Sequence, residues 1–147
     1  MILRLTKQFD FQMAHALDGY DGKCRNIHGH NYKLFVTVES PAPDNIYGNC
    51  SLQNDNPKRG MVMDFGDIKR LVEINIIEPF DHAFVVPQNS PFENTSGTKL
   101  IVLPFQPTSE TLLLQIATLL KDKLPSCIRL HSLRLNETDT SSAELIL

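Results

Sequence analysis

The chain has 147 residues, with 14 Lys and Arg against 17 Asp and Glu and a formal net charge of −3, a balance that leaves no electrostatic footprint for duplex nucleic acid. At 41% hydrophobic and 21% charged it is globular in composition, and its length favours one domain, residues 1–147, with no repeat or linker dividing it. Apolar runs such as Leu100–Leu103 fall far short of the ~20 residues of a membrane span, the N-terminus lacks signal-peptide anatomy, and three cysteines at unrelated spacings suggest no disulfide framework. A cytoplasmic protein that meets neither nucleic acid nor membrane is the expectation.

The first fifteen residues alternate. Leu3, Leu5, Phe9, Phe11 and Met13 fall on odd positions and Arg4, Thr6, Gln8, Asp10 and Gln12 on even ones, the period of a half-buried strand, with Lys7 as the exception. After the turn-rich stretch Asp18-Gly19-Tyr20-Asp21-Gly22, a second alternating run places His28, His30, Tyr32, Leu34, Val36 and Val38 on one face. The two runs read as an antiparallel pair. Residues 41–59 are polar and read as a long loop. Asp64 then offers an N-cap with Asp67 in a capping-box-like position, Ile68, Leu71, Val72 and Ile76 form a helical stripe, and Pro79 ends it. Residues 87–105 contain a second irregular stretch and a short apolar run. Thr108 is the N-cap of a second helix with a wide apolar face from Leu112 to Leu124. Strands are expected at 128–137 and 143–147, with a parity slip near His131-Ser132 that suggests a bulge. The whole predicts an α+β domain: a four-stranded antiparallel sheet with two helices packed on one face.

His15 continues the apolar parity of the first strand, and His28 and His30 lie on that of the second. Pairing the strands brings three imidazoles to one patch, the donor set that catalytic zinc favours, with a fourth position open. A lone strand histidine is more often a hydrogen-bonded polar residue, so spacing alone leaves the two readings level. Cys24, four residues before His28 and flanked by Lys23 and Arg25, reads as a base or nucleophile, as a fourth zinc ligand, or as an idle thiol. Asp81-His82 reads as an acid/base pair, or as a turn Asp beside a surface His. Glu137, at a strand end, is unremarkable by itself. Cys50, Cys127 and His131 have no motif to support a role.

In order along the chain, Phe11-Gln12-Met13-Ala14-His15, Cys24-Arg25-Asn26-Ile27-His28-Gly29-His30-Asn31-Tyr32, Gly60-Met61-Val62-Met63-Asp64-Phe65-Gly66-Asp67-Ile68-Lys69, Phe80-Asp81-His82, Pro107-Thr108-Ser109-Glu110 and Glu137-Thr138 resemble the motifs of the 6-pyruvoyltetrahydropterin synthase / 6-carboxytetrahydropterin synthase family. The resemblance implies a T-fold that oligomerises into a β-barrel, a hexamer as a dimer of trimers, with active sites at subunit interfaces. It implies Zn²⁺ held by His15, His28 and His30, a pterin triphosphate as substrate, Cys24, Asp81 and His82 as catalytic residues, and Glu137 and Thr108 as contacts to the pterin. Three residues, Arg25, Asn26 and Ile27, separate Cys24 from His-Gly-His, a spacing that resembles the 6-carboxy branch of queuosine biosynthesis. The 6-pyruvoyl activity, a zinc-containing pterin binder without turnover, and a structural zinc domain remain as alternatives. Against the family pattern, Phe80 stands where leucine is usual, and the C-terminal tail lacks an aromatic.

Overall fold

The computed structural model describes residues 2–41, 57, 58 and 60–147. The N-terminal alternation becomes β1 (Ile2–His15), paired antiparallel along its length with β2 (His28–Pro41). Phe9, Phe11 and Met13 of β1 and Tyr32, Leu34, Val36 and Val38 of β2 are buried, while Arg4, Thr6, Gln8, Asp10 and Gln12 lie exposed on the opposite face. Lys7 extends its ammonium over the rings of Phe9 and Phe65, 5.9 and 5.7 Å from their centroids, so its stem covers the rim of the core while its charge stays near solvent.

Four more strands, β3 (Ala83–Pro87), β4 (Leu100–Leu103), β5 (Arg129–Asn136) and β6 (Ser142–Ile146), complete one sheet of order β4-β3-β1-β2-β5-β6. The expected four-stranded antiparallel sheet is therefore corrected to a six-stranded mixed one, in which β3 runs parallel to both β1 and β4. All five residues of β3 are buried. A strand without a wet face leaves no alternation to read, and so short an apolar run carries no period of its own. The parity slip in β5 is a bulge: Thr37 pairs with Ser132 and Val38 with Leu130, leaving His131 as the extra residue. Its Nδ1 lies 3.3 Å from Glu39 Oε2.

Asp64 caps α1 (Phe65–Val72) by accepting from the Gly66 backbone N–H at 2.6 Å. Asp67 is not its capping partner and pairs instead with Lys58. The helical segment continues through a π turn (Glu73–Ile77) into α2 (Glu78–Phe80), and the wide turn precedes Pro79, whose missing N–H breaks the normal ladder. Thr108 caps α3 (Ser109–Leu120) in a capping box with Thr111. Ile68, Val72 and Ile76 from the first segment and Leu112, Leu113, Ile116, Ala117 and Leu120 from α3 join the inward sheet residues in one core. Cys127 packs against the edge of that core. Cys50 and most of the 41–59 stretch lie outside the described residues. Among the described residues no helix is long and apolar enough to cross a membrane.

Candidate active site

Strand pairing builds the centre of the site. His15 and His28 are direct partners in the β1–β2 register, and His30 stands opposite Met13, so alternation turns all three imidazoles to the inner face. Gly29 sits between the two β2 histidines because a Cβ there would come within 3.3 Å of the Met13 carbonyl oxygen. The three rings lie 4.5, 5.3 and 4.9 Å apart between centroids, and one nitrogen from each falls within 4.8 Å of the others.

The hydrogen bonds of the rings define what they can hold. His15 Nδ1 donates to the Pro107 carbonyl at 2.8 Å and His28 Nδ1 donates to that of Asn26 at 2.8 Å. A carbonyl only accepts, so Nδ1 carries a proton in both rings, and a ring with no second proton presents a bare lone pair at Nε2. Those two Nε2 atoms are 3.0 Å apart, close to the edge of a tetrahedron with zinc–nitrogen bonds, roughly 3.3–3.4 Å. Burial lowers the His15 pKa from its ordinary value, against the bond to Pro107, and burial likewise lowers that of His30 against the charge of Glu137. His30 Nε2 is itself buried without a hydrogen-bond partner among the described residues. Facing lone pairs in a buried patch repel one another unless a cation lies between them, so these residues fit a zinc ion.

Glu137 reaches the same point. Its Oε1 lies 3.4 Å from His15 Nε2 and 3.2 Å from His30 Nε2. A cavity of about 340 Å³ opens beside it, lined by His15, Cys24, Thr108, Ser109, Glu137 and Ser142 among others. Among the described residues Cys24 is the free thiol, carried on the turn Lys23–Arg25 and fixed by the Leu17 N–H, which donates to its carbonyl at 3.0 Å. The flanking Lys23 and Arg25 are exposed. The Thr108 hydroxyl accepts from the Thr111 N–H at 3.4 Å, so it is committed to the helix cap as well as facing the cavity.

Asp81 and His82 do bond each other, which extended backbone would not permit: His82 adopts a left-handed φ of 59°, which brings its Nδ1 to 2.9 Å from Asp81 Oδ2. The other Asp81 oxygen accepts from the Gln12 N–H at 2.9 Å. That bond lowers the Asp81 pKa, with smaller help from His82 and Lys99. His82 is 72% exposed and lines a different cleft, with Gln12, Gly29, His30 and Asn31. Within one chain, then, the dyad does not share the cavity of Cys24.

Two residues were not singled out as site residues from the sequence. Ser109 and Tyr32 each bury a hydroxyl without a partner among the described residues. Tyr32 is fully buried, and burial together with the Glu137 carboxylate pushes its phenol well above the ordinary pKa. Strand parity already placed Tyr32 on the histidine face, where a buried phenol rather than Phe was the available signal.

The model of the family described as 6-pyruvoyl tetrahydropterin synthase matches residues 4–146. The chain belongs to the 6-pyruvoyl tetrahydropterin synthase family. A relative from Haemophilus influenzae, 6-carboxy-5,6,7,8-tetrahydropterin synthase, is 37% identical over 97% of this chain and 98% of its own. A protein of the same name from Rickettsia typhi is 29% identical over 98% and 100%. Among solved structures, an uncharacterized protein from Wolinella succinogenes superposes with a TM-score of 0.76 at 23% identity, covering 99% of this chain and 98% of that one. The 6-pyruvoyl tetrahydropterin synthase of Caenorhabditis elegans gives 0.67 at 21%, covering 100% and 96%. The fold is the T-fold of these proteins, and the chain is a pterin-processing enzyme of that family.

Metal analysis of purified variants checks the donor assignment. His28→Ala is expected to reduce bound zinc to background, whereas Cys24→Ala retains it at the wild-type level; loss of zinc from Cys24→Ala would make the thiol a ligand.

Proposed function

We propose that the chain is a zinc-dependent lyase converting 7,8-dihydroneopterin triphosphate and water to 6-carboxy-5,6,7,8-tetrahydropterin, acetaldehyde and triphosphate, in the queuosine (7-deazaguanine) route. The observation that carries this reading is a cluster of three imidazoles whose His15 opens onto one cavity with a free thiol, Cys24, and a carboxylate, Glu137. The names of the Haemophilus and Rickettsia relatives and the three-residue spacing between Cys24 and His28 support the 6-carboxy product.

In this reading His15, His28 and His30 would hold zinc through Nε2, where it would supply Lewis-acid polarisation of the substrate's side-chain hydroxyls. Glu137 anchors the pterin, its two oxygens accepting parallel N–H bonds from ring N3 and the 2-amino group. Thr108 adds a hydroxyl at the same wall. Cys24 acts as the base that moves protons on the side-chain carbons. Asp81 orients His82 by accepting from Nδ1, which leaves Nε2 to exchange a proton with the departing triphosphate.

The separation of His82 from the Cys24 cavity within one chain supports a homo-oligomer whose sites lie at subunit interfaces, and the family resemblance implies a hexamer built as a dimer of trimers. Among the described residues the last strand of the sheet, β6, has only β5 beside it, and Ile146 and Leu147 are 68% and 56% exposed there, an edge of the kind that recruits another strand.

Mass spectrometry of products from zinc-loaded protein and 7,8-dihydroneopterin triphosphate tests the reaction. The expected products are 6-carboxytetrahydropterin and acetaldehyde. A 6-pyruvoyl product would overturn the assigned product, and bound but unconverted substrate would make the protein a pterin-binding module. A mixing experiment tests the shared site: Cys24→Ala and His82→Ala are each expected to be inactive, and co-refolding them is expected to restore roughly a quarter of wild-type turnover. No recovery in mixed oligomers would mean that each chain carries a complete site.

A further inference from the structure

Tyr32 is fully buried, stacked on Phe11 at 5.3 Å and 15° between planes. Its ring meets His15 edge-on at 6.3 Å and His30 at 5.6 Å. For packing alone, phenylalanine would serve better, because the Tyr32 hydroxyl finds no hydrogen-bond partner among the described residues, and an unsatisfied buried hydroxyl destabilises the fold. A polar atom kept in such a place points to something that is engaged only in the working site.

The strand register shows what that is. β2 and β5 pair from Lys33 and Asn136 inward, so one step outward sets Tyr32 beside Glu137 on the same face. Glu137 is the carboxylate whose charge and side chain act on the phenol. In this structure Glu137 Oε1 lies against His15 Nε2 and His30 Nε2, at 3.4 and 3.2 Å. His15 Nε2 has no proton for the carboxylate, since the ring proton is held at Nδ1 by Pro107, and a nitrogen that serves as a metal ligand has none to give either. Glu137 then needs another donor, and the Tyr32 hydroxyl faces it.

We propose that Tyr32 is a positioning residue for Glu137: its hydroxyl donates to the carboxylate in the metal-holding state and aims both oxygens toward the N–H groups of a bound pterin ring. This rests on the reading of Glu137 as the pterin anchor. Tyr32 touches neither the reacting carbons nor the metal, so its effect passes through the carboxylate.

The test measures binding of neopterin, a fluorescent pterin, to zinc-loaded wild type, Tyr32→Phe, Glu137→Ala and the double variant, with zinc content and Tm recorded for each. Tyr32→Phe is expected to raise Kd about tenfold while zinc content holds, and in the metal-free protein Tm stays level or rises, since there only an unsatisfied hydroxyl is removed. In the Glu137→Ala background the same change is expected to leave Kd unaltered. A Kd for Tyr32→Phe within twofold of wild type overturns the proposal, as does a loss of equal size in the Glu137→Ala background, which would place the hydroxyl directly on the ligand. If Glu137→Ala itself binds like wild type, the anchor reading falls and the proposal with it. If Glu137→Ala weakens binding and Tyr32→Phe does not, the proposal alone falls.

Discussion

The register of β1 against β2 sets His15 opposite His28 and places His30 two residues along the same face. A slip of one residue would turn one strand's imidazoles to the polar side of the sheet. The pairing is pinned by what lies farther along the same strands, where Phe9, Phe11, Leu34, Val36 and Val38 are buried in the core. The same apolar face that stabilises the sheet thus delivers the donor atoms, and the site stands on a rigid scaffold rather than on a loop. Cys24 comes from a turn between the strands and Glu137 from the bend just after β5, both at the wall of the cavity.

At the centre of the patch, acceptors outnumber donors. Pro107 and Asn26 take the Nδ1 protons of His15 and His28, which aims lone pairs at each other and at the Glu137 carboxylate. Burial strengthens both the mutual repulsion and the attraction for a cation. Backbone carbonyls that orient ligand imidazoles are the usual outer support of a metal site, and here they come from two different segments, the start of α3 and the turn before β2. The fold therefore sets three imidazoles where they could hold an ion, with Glu137 at the edge of the same patch.

Much of this was legible in the sequence because it rests on alternation. The parity of His15, His28 and His30 beside Phe11, Met13, Tyr32 and Leu34 predicts the cluster directly, and Thr108 predicts the start of α3. The bulge at His131 also shows as a break of parity. Ala83–Pro87 does not, because a strand buried on both faces has no polar partner positions. Asp81–His82 was readable as a motif, whereas their contact depends on the left-handed backbone at His82, which no side-chain pattern announces. Tyr32 was legible as a core residue only. Its second role depends on the absence of a hydrogen-bond partner, a property of packing rather than of spacing.

X-ray absorption at the zinc edge of the metal-loaded protein tests the central claim most directly. The donor geometry predicts a shell of nitrogen and oxygen at about 2.0–2.2 Å with imidazole back-scattering from three histidines and no sulfur. A sulfur contribution at about 2.3 Å would contradict it, by placing Cys24 on the metal, closing the fourth position and removing the thiol from proton transfer.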